Sequence, residues 1–200
     1  MRTLLVANRG EITRRIFRTA RSMGLSTVAV FSDADADAPF VREADAAVHL
    51  PGSSPADTYL RGDLVIAAAL ATGADAVHPG YGFLSEDAGF AAAVLRAGLI
   101  WVGPPVAAIE SMGSKLAAKA LMADAGVPCL PGVDATGLSP TQLLEAGRGI
   151  GYPLLVKASA GGGGRGMRIV TSAEELLDAV DSAGREAASA FGDGTVFLER

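Results

Sequence analysis

The sequence predicts an α/β protein, a doubly wound parallel sheet followed by a small α+β unit. Three observations carry this. Short apolar runs alternate with helix-patterned segments from Met1 to about Gly103, the rhythm of strand–helix–strand units that build a parallel sheet covered on both faces. Beyond Pro131 the rhythm changes, and two strand-like runs are joined directly through a glycine-rich loop. Half of the 200 residues are hydrophobic and a fifth are charged, an ordinary globular balance that can bury a core.

Each element follows in order. Thr3 to Asn8 (TLLVAN) is a short apolar run closing on polar residues, a buried strand. The next segment places Ile12, Ile16, Ala20 and Met23 at helical spacing, with Arg14, Arg18 and Arg21 opposite and Gly24 as a stop. Ser26–Ser32 is a second strand, Asp33–Asp37 an acidic turn, and Ala46–Leu50 a third strand. Tyr59–Thr72 reads as a helix ended by Gly73, and Ala74–Val77 as a fourth strand. Ser85 is expected to cap a helix that runs to Arg96, with Glu86 and Asp87 in its first turn, and Leu99–Val102 is a fifth strand. This Rossmann-like domain is expected over 1–103. A helical linker follows over 104–130, interrupted near Gly113. The last unit, 131–200, holds a helix over Thr141–Arg148, strands at Leu154–Ser159, Met167–Val170 and Thr195–Glu199, and a helix capped by Ser172.

Composition narrows the function classes. A net charge of −5 argues against a nucleic-acid scaffold, which shows a basic footprint. No apolar run approaches the length of a membrane span or a signal-peptide core, so neither a membrane nor a targeting segment is expected. The single cysteine, Cys129, excludes an internal disulfide and points to a reducing, cytoplasmic setting. A nucleophilic role for it, with His49 or His78, is the less common reading, because most lone cysteines are small core residues.

Two glycine motifs separate sharply. The first strand–helix turn, Ala7 to Glu11, has one glycine where a dinucleotide fingerprint has three, so Asp33 after the second strand does not by itself mark an NAD site. The second motif is LVKASAGGGGRGMRIV, Leu155–Val170. Gly161 and Gly166 have the spacing of a Walker loop, but Met167 and Arg168 follow in place of Lys-Ser/Thr and open a strand. A glycine loop between antiparallel strands is the device of a phosphate flap, as in protein kinases. Glycines let backbone N–H groups approach the phosphate oxygens, and a strand lysine reaches them from below. Strand alternation puts Leu155, Lys157 and Ser159 on one face and Leu154, Val156 and Ala158 on the other, so Lys157 points to the nucleotide side. Lys115 and Lys119, four apart on a helix, share a face, which spacing alone would assign to solvent. HPGYGF, His78–Phe83, follows a strand at the sheet edge where open α/β folds bind ligands, and a lone His78 there is more often a structural hydrogen-bonding residue.

Taken together these residues resemble biotin carboxylase, the ATP-grasp component of acyl-CoA carboxylases and of pyruvate carboxylase. The resemblance rests on LVANRGEI (Leu5–Ile12), HPGYGFLSE (His78–Glu86), MGSK (Met112–Lys115), GVP (Gly126–Pro128) and KASAGGGGRGM (Lys157–Met167). Ala160 departs from it, where many members carry a further glycine. The resemblance implies that 131–200 is the ATP-grasp lid. It also implies that ATP and bicarbonate form carboxyphosphate, which carboxylates biotin held on a carrier domain. Lys115 and Lys157 then serve the ATP phosphates, Gly163 and Gly164 the flap, Met167 the adenine pocket, and Glu199 and Arg200 the adenine edge, with Arg200 where the family often has lysine. Catalytic residues, Mg²⁺ ligands and the bicarbonate site are expected beyond residue 200, so the chain alone is expected to be inactive. The implied partners are a biotin carboxyl carrier domain, a carboxyltransferase and a second copy of the parent enzyme. A different ATP-grasp ligase, such as carbamoyl-phosphate synthetase or a purine-pathway carboxylase, and a non-catalytic nucleotide-binding module remain open at this point.

Overall fold

Continuous apolar strands shape the first sheet. In the computed structural model, which describes residues 1–159 and 166–200, the chain divides into two compact units, Met1–Glu110 and Ser111–Arg200. The first unit contains β1 (Thr3–Val6), α1 (Gly10–Ser22), β2 (Ser26–Phe31), α2 (Pro39–Glu43), β3 (Ala46–His49), α3 (Gly62–Ala71), β4 (Ala76–His78), α4 (Ala88–Arg96) and β5 (Ile100–Trp101). All strand pairs are parallel, in the order β3-β2-β1-β4-β5, so the chain reverses its winding between β1 and β4. Alternation splits β1 between two cores. Leu5 packs with Val28, Val77, Val65 of α3 and Phe90 and Val94 of α4. Leu4 and Val6 pack with Phe17 and Ala20 of α1 and Phe40 of α2. Strands buried on both faces have no polar positions to alternate with, which is why they read as unbroken apolar runs.

Three local expectations change. The α4 cap is Asp87, whose carboxylate accepts the Phe90 N–H at 2.9 Å, while Ser85 lies in the preceding turn. Helix α3 starts at Gly62, not Tyr59, because Tyr59 is drawn into the core with its hydroxyl committed to Asp35. Helix α2, with Pro39 in its first turn, was not anticipated within so short a polar stretch.

A buried polar cluster ties the C-terminal edge of this sheet. The Asp35 carboxylate accepts from the Tyr59 hydroxyl at 2.6 Å and the Ser32 hydroxyl at 3.0 Å, and Arg9 pairs with it at 3.0 Å. Ser32 N–H donates to the Tyr59 oxygen at 3.0 Å. Burial first, and then the hydrogen bond to Asp35, pushes the Tyr59 phenol up to about 12. The folded pKa lies above the unfolded one, so this contribution is complete below about pH 10 and is lost as pH rises toward 12. Tyr59→Phe should therefore be less stable than the parent chain at neutral pH, with the gap narrowing from pH 10 to 12. Urea midpoints across that range test it, and a constant gap would refute the linkage. Nearby, the Asn8 amide donates to the carbonyls of Pro79 at 2.8 Å and Tyr81 at 2.7 Å, bridging the β1/β4 crevice where dinucleotides bind in sheets of this kind. His78 accepts the Gly80 N–H at 2.9 Å and burial lowers its pKa, so it acts as a neutral structural acceptor.

Helix α5 (Val106–Met112) crosses into the second unit, which contains α6 (Lys115–Asp124), β6 (Gly132–Asp134), α7 (Pro140–Ile150), β7 (Leu154–Ala158), β8 (Met167–Val170), α8 (Ala173–Phe191) and β9 (Val196–Glu199). The sheet is antiparallel, in the order β6-β9-β7-β8. Its core face carries Leu154, Val156, Val170, Val196 and Leu198 against Leu143 and Ile150 of α7 and Leu176 and Ala183 of α8. Ser139 and Gln142 form a reciprocal capping box at α7. A Cβ at Gly147 would lie 2.5 Å from the Tyr152 hydroxyl and 2.7 Å from Leu176, so glycine sets the approach of α7 to α8. Gly132 opens the edge strand β6, a short strand that the sequence pattern does not mark. Ser172 occupies the α8 cap position without a side-chain cap bond; the first turn is tied instead by Thr171, whose N–H and hydroxyl donate to Glu175.

Candidate functional site

The sheet of the second unit has helices α7 and α8 on its core face, and its other face gathers the charged residues that the sequence marked. Alternation along β7 buries Leu154, Val156 and Ala158 and leaves Leu155 and Lys157 half-buried on that other face. Lys157 sits directly opposite Met167 of β8 and Phe197 of β9, and Leu155 opposite Glu199 and Ile169. Leu155, Lys157, Met167, Phe197 and Glu199 therefore share one surface. Helix α6, capped by the Ser114 hydroxyl, presents Lys115 and Lys119 to the same region one turn apart.

The centre of the arrangement is Glu199, whose side chain is only 9% exposed. One carboxylate oxygen accepts from Lys157 at 2.6 Å, and the other from Lys119. Lys119 also donates to the Leu130 carbonyl at 2.9 Å. Both ammonium groups stand over the Phe197 ring, at 5.7 Å for Lys119 and 5.6 Å for Lys157. Burial pushes the Glu199 carboxyl up, but the hydrogen bonds from Lys119 and Lys157 together outweigh it and hold the group below the usual range. Two ammonium groups on one carboxylate leave a positive charge in excess, a setting that attracts an anion. Lys115 reaches the other end of β7, donating to the Ser159 carbonyl at 3.1 Å, where the glycine segment begins. Beyond that segment, Glu186 of α8 accepts the Gly166 N–H at 3.2 Å and pairs with Arg168 at 2.7 Å.

The structure thus brings Lys115, Lys157, Met167 and Glu199 into one region. Arg200 follows Glu199 with its N–H on the Pro131 carbonyl at 3.1 Å. Gly163 and Gly164 lie outside the described residues. Sequence reasoning passed over Lys119 and Phe197. Lys119 was visible as the second member of the i,i+4 pair, and Phe197 by alternation from Glu199, but spacing alone could not show that both serve a carboxylate eighty positions away from Lys119. Cys129 departs from the expected core position: it is exposed. Among the described residues no group of three or more His, Cys, Asp or Glu side chains is placed to hold a metal ion, and no helix is long and apolar enough to cross a membrane.

Comparison with known proteins fits both units. Residues 1–109 match the model described as biotin carboxylase, N-terminal domain, and residues 114–200 the model described as carbamoyl-phosphate synthase L chain, ATP binding domain. The chain belongs to the biotin carboxylase family. Among relatives, it is 52% identical over 198 residues to the mitochondrial methylcrotonoyl-CoA carboxylase subunit alpha of Oryza sativa, covering 98% of this chain and 27% of that protein. It is 46% identical to the biotin carboxylase of Halalkalibacterium halodurans, covering 98% and 44%. Among solved structures, a biotin carboxylase beta-gamma-ATP complex from Campylobacter jejuni superposes with a TM-score of 0.95 at 42% identity, covering all of this chain and 45% of that one. This biotin carboxylase family chain thus spans less than half the length of these relatives. Its parallel sheet followed by an antiparallel sheet is the architecture of that family.

Proposed function

We propose that this chain supplies the N-terminal domain and part of the ATP site of a biotin-dependent carboxylase, which uses ATP and bicarbonate to carboxylate biotin on a carrier domain. The observation that carries the reading is the Lys119–Glu199–Lys157 cluster over Phe197, an excess of positive charge beside an aromatic and apolar surface. Charge of that sign suits a polyphosphate, and Leu155 and Met167, above the buried Phe197 ring, suit the face of a base. In this reading Lys115 and Lys157 hold phosphates, Gly163 and Gly164 cover them, Met167 lines the adenine pocket, and Glu199 and Arg200 meet its edge. Solved relatives support it: one is a beta-gamma-ATP complex, and another, the biotin carboxylase domain of Hydrogenobacter thermophilus 2-oxoglutarate carboxylase, is a dimer with MgADP, ADP and bicarbonate at TM-score 0.92 and 43% identity. ATP supplies the phosphoryl group that activates bicarbonate.

The carbamoyl-phosphate synthase description over 114–200 is shared ground among such ligases, and the match over 1–109 favours biotin carboxylation. A carrier domain and a carboxyltransferase are the partners this function implies, and a second copy of the parent enzyme is a further one, as in the dimer of the 2-oxoglutarate carboxylase domain. Titrating ATP into the chain, followed by backbone amide NMR, should shift residues of β7, β8 and β9. No shift at millimolar ATP would end the reading. Because the chain spans less than half of its relatives, bicarbonate-dependent ATP cleavage should be absent from it alone. Turnover near the common enzymatic value of about 10 per second would contradict that.

A further inference from the structure

Glu199 poses a problem for the site just described. A carboxylate with 9% of its side chain exposed needs a counter-charge. Lys157, the lysine assigned to a phosphate, is one of its two partners. Were Lys157 the sole partner, turning it toward a phosphate would leave a bare buried carboxylate.

The second lysine removes that obstacle. Lys119 and Lys157 occupy different oxygens of the carboxylate, so either can leave without displacing the other. They are also tethered differently. Lys119 is fixed at a second point by the Leu130 carbonyl, whereas Lys157, among the described residues, donates to Glu199 alone. Gly132 keeps the space for Lys119 open: a Cβ there would lie 3.2 Å from the ammonium and 2.9 Å from the Leu198 carbonyl. The Phe197 ring beneath both ammonium groups offers each a second favourable surface.

We propose that Lys119 is a positioning residue that keeps Glu199 compensated while Lys157 moves from the carboxylate to a nucleotide phosphate. This rests on the nucleotide-site reading above. Glu199 and Lys119 form a fixed pair at the base of the site, and Lys157 is the transferable cation. Lys119 thereby governs phosphate affinity without touching the phosphate.

ATP dissociation constants from NMR titration test it, for the parent chain, K119M, K119R, E199Q and K119M/E199Q. K119M should bind about tenfold more weakly, the equivalent of one charge-assisted hydrogen bond. K119R, which keeps the charge on Glu199, should stay within about threefold of the parent. In the E199Q background the carboxylate charge is gone, so adding K119M should change affinity by less than about twofold. An unchanged K119M, a K119R as weak as K119M, or an equal K119M loss in the E199Q background would each overturn the proposal. The last result would make Lys119 a plain phosphate cation. Should K119M lose its native spectrum, the comparison of E199Q with K119M/E199Q decides on the same terms. A parent chain that takes up no ATP removes the underlying reading, and this inference with it; a parent chain that binds ATP with indifferent Lys119 variants removes the inference alone.

Discussion

Lys157→Ala is expected to weaken ATP binding by roughly ten- to a hundredfold, the loss of a charge-assisted hydrogen bond to a phosphate. The substitution also removes one of two cations from Glu199, and Lys119 remains on the other oxygen, so the carboxylate keeps a partner and the fold should persist. That separates binding from stability. The midpoint of thermal unfolding should fall modestly while affinity falls steeply. Lys157→Arg restores the charge but places a bulkier planar fork where a single ammonium stands, so only part of the affinity should return. Affinity unchanged in Lys157→Ala, measured by the same amide titration, would remove Lys157 from phosphate binding and move the excess charge of the site to another use. Acid should weaken the arrangement as well. Glu199 is held below its ordinary range in the folded chain, so its pairing is intact above the unfolded value near 4.5 and is lost as pH falls through the folded one.

Much of this was legible in the residues because the governing physics is local. Buried parallel strands must be apolar on both faces, so TLLV and STVAVF declared themselves. A two-residue period assigns faces along a strand, so alternation alone puts Lys157 on the open face and Val156 in the core. The glycine run declared itself by lying between two strand patterns, where a Walker loop would lead into a helix. What was missed depends on partners distant in sequence. Asp87 rather than Ser85 caps α4, because either residue type can serve and only the course of the preceding turn decides. Tyr59 left its expected helix for a contact with Asp35, twenty-four positions earlier. Gly132 became a strand because Glu199 pairs with it across the chain. Lys119 looked like a solvated surface lysine until the carboxylate that it serves was in place. Spacing within one element shows which side chains are neighbours, and says nothing of what they meet.

Asp35→Ala should be among the most damaging single changes in the first unit, at about 3–5 kcal/mol. The size follows from what is stranded. Tyr59 is 1% exposed and Ser32 fully buried, and both hydroxyls donate to this carboxylate. Removing it leaves two buried donors and the Arg9 guanidinium without their shared acceptor, and each buried orphan costs about 1–3 kcal/mol. Asp35→Asn keeps a carbonyl oxygen for the Tyr59 hydroxyl but loses the charge facing Arg9, so its loss should be about half as large. The cluster acts as a unit, which makes a cycle with Tyr59→Phe informative: once the Tyr59 donor is gone, Asp35→Ala should cost about 1 kcal/mol less than in the parent chain. Trp101, the only tryptophan, lies in β5 of this unit, so urea unfolding followed by its fluorescence reads the first unit selectively. A loss below about 1 kcal/mol for Asp35→Ala would place the cluster with exposed ion pairs, which contribute little. The edge of the sheet that carries Arg9 and the Pro79–Phe83 turn would then owe its geometry to the Asn8 amide and the apolar packing around Tyr59 and Phe83 instead.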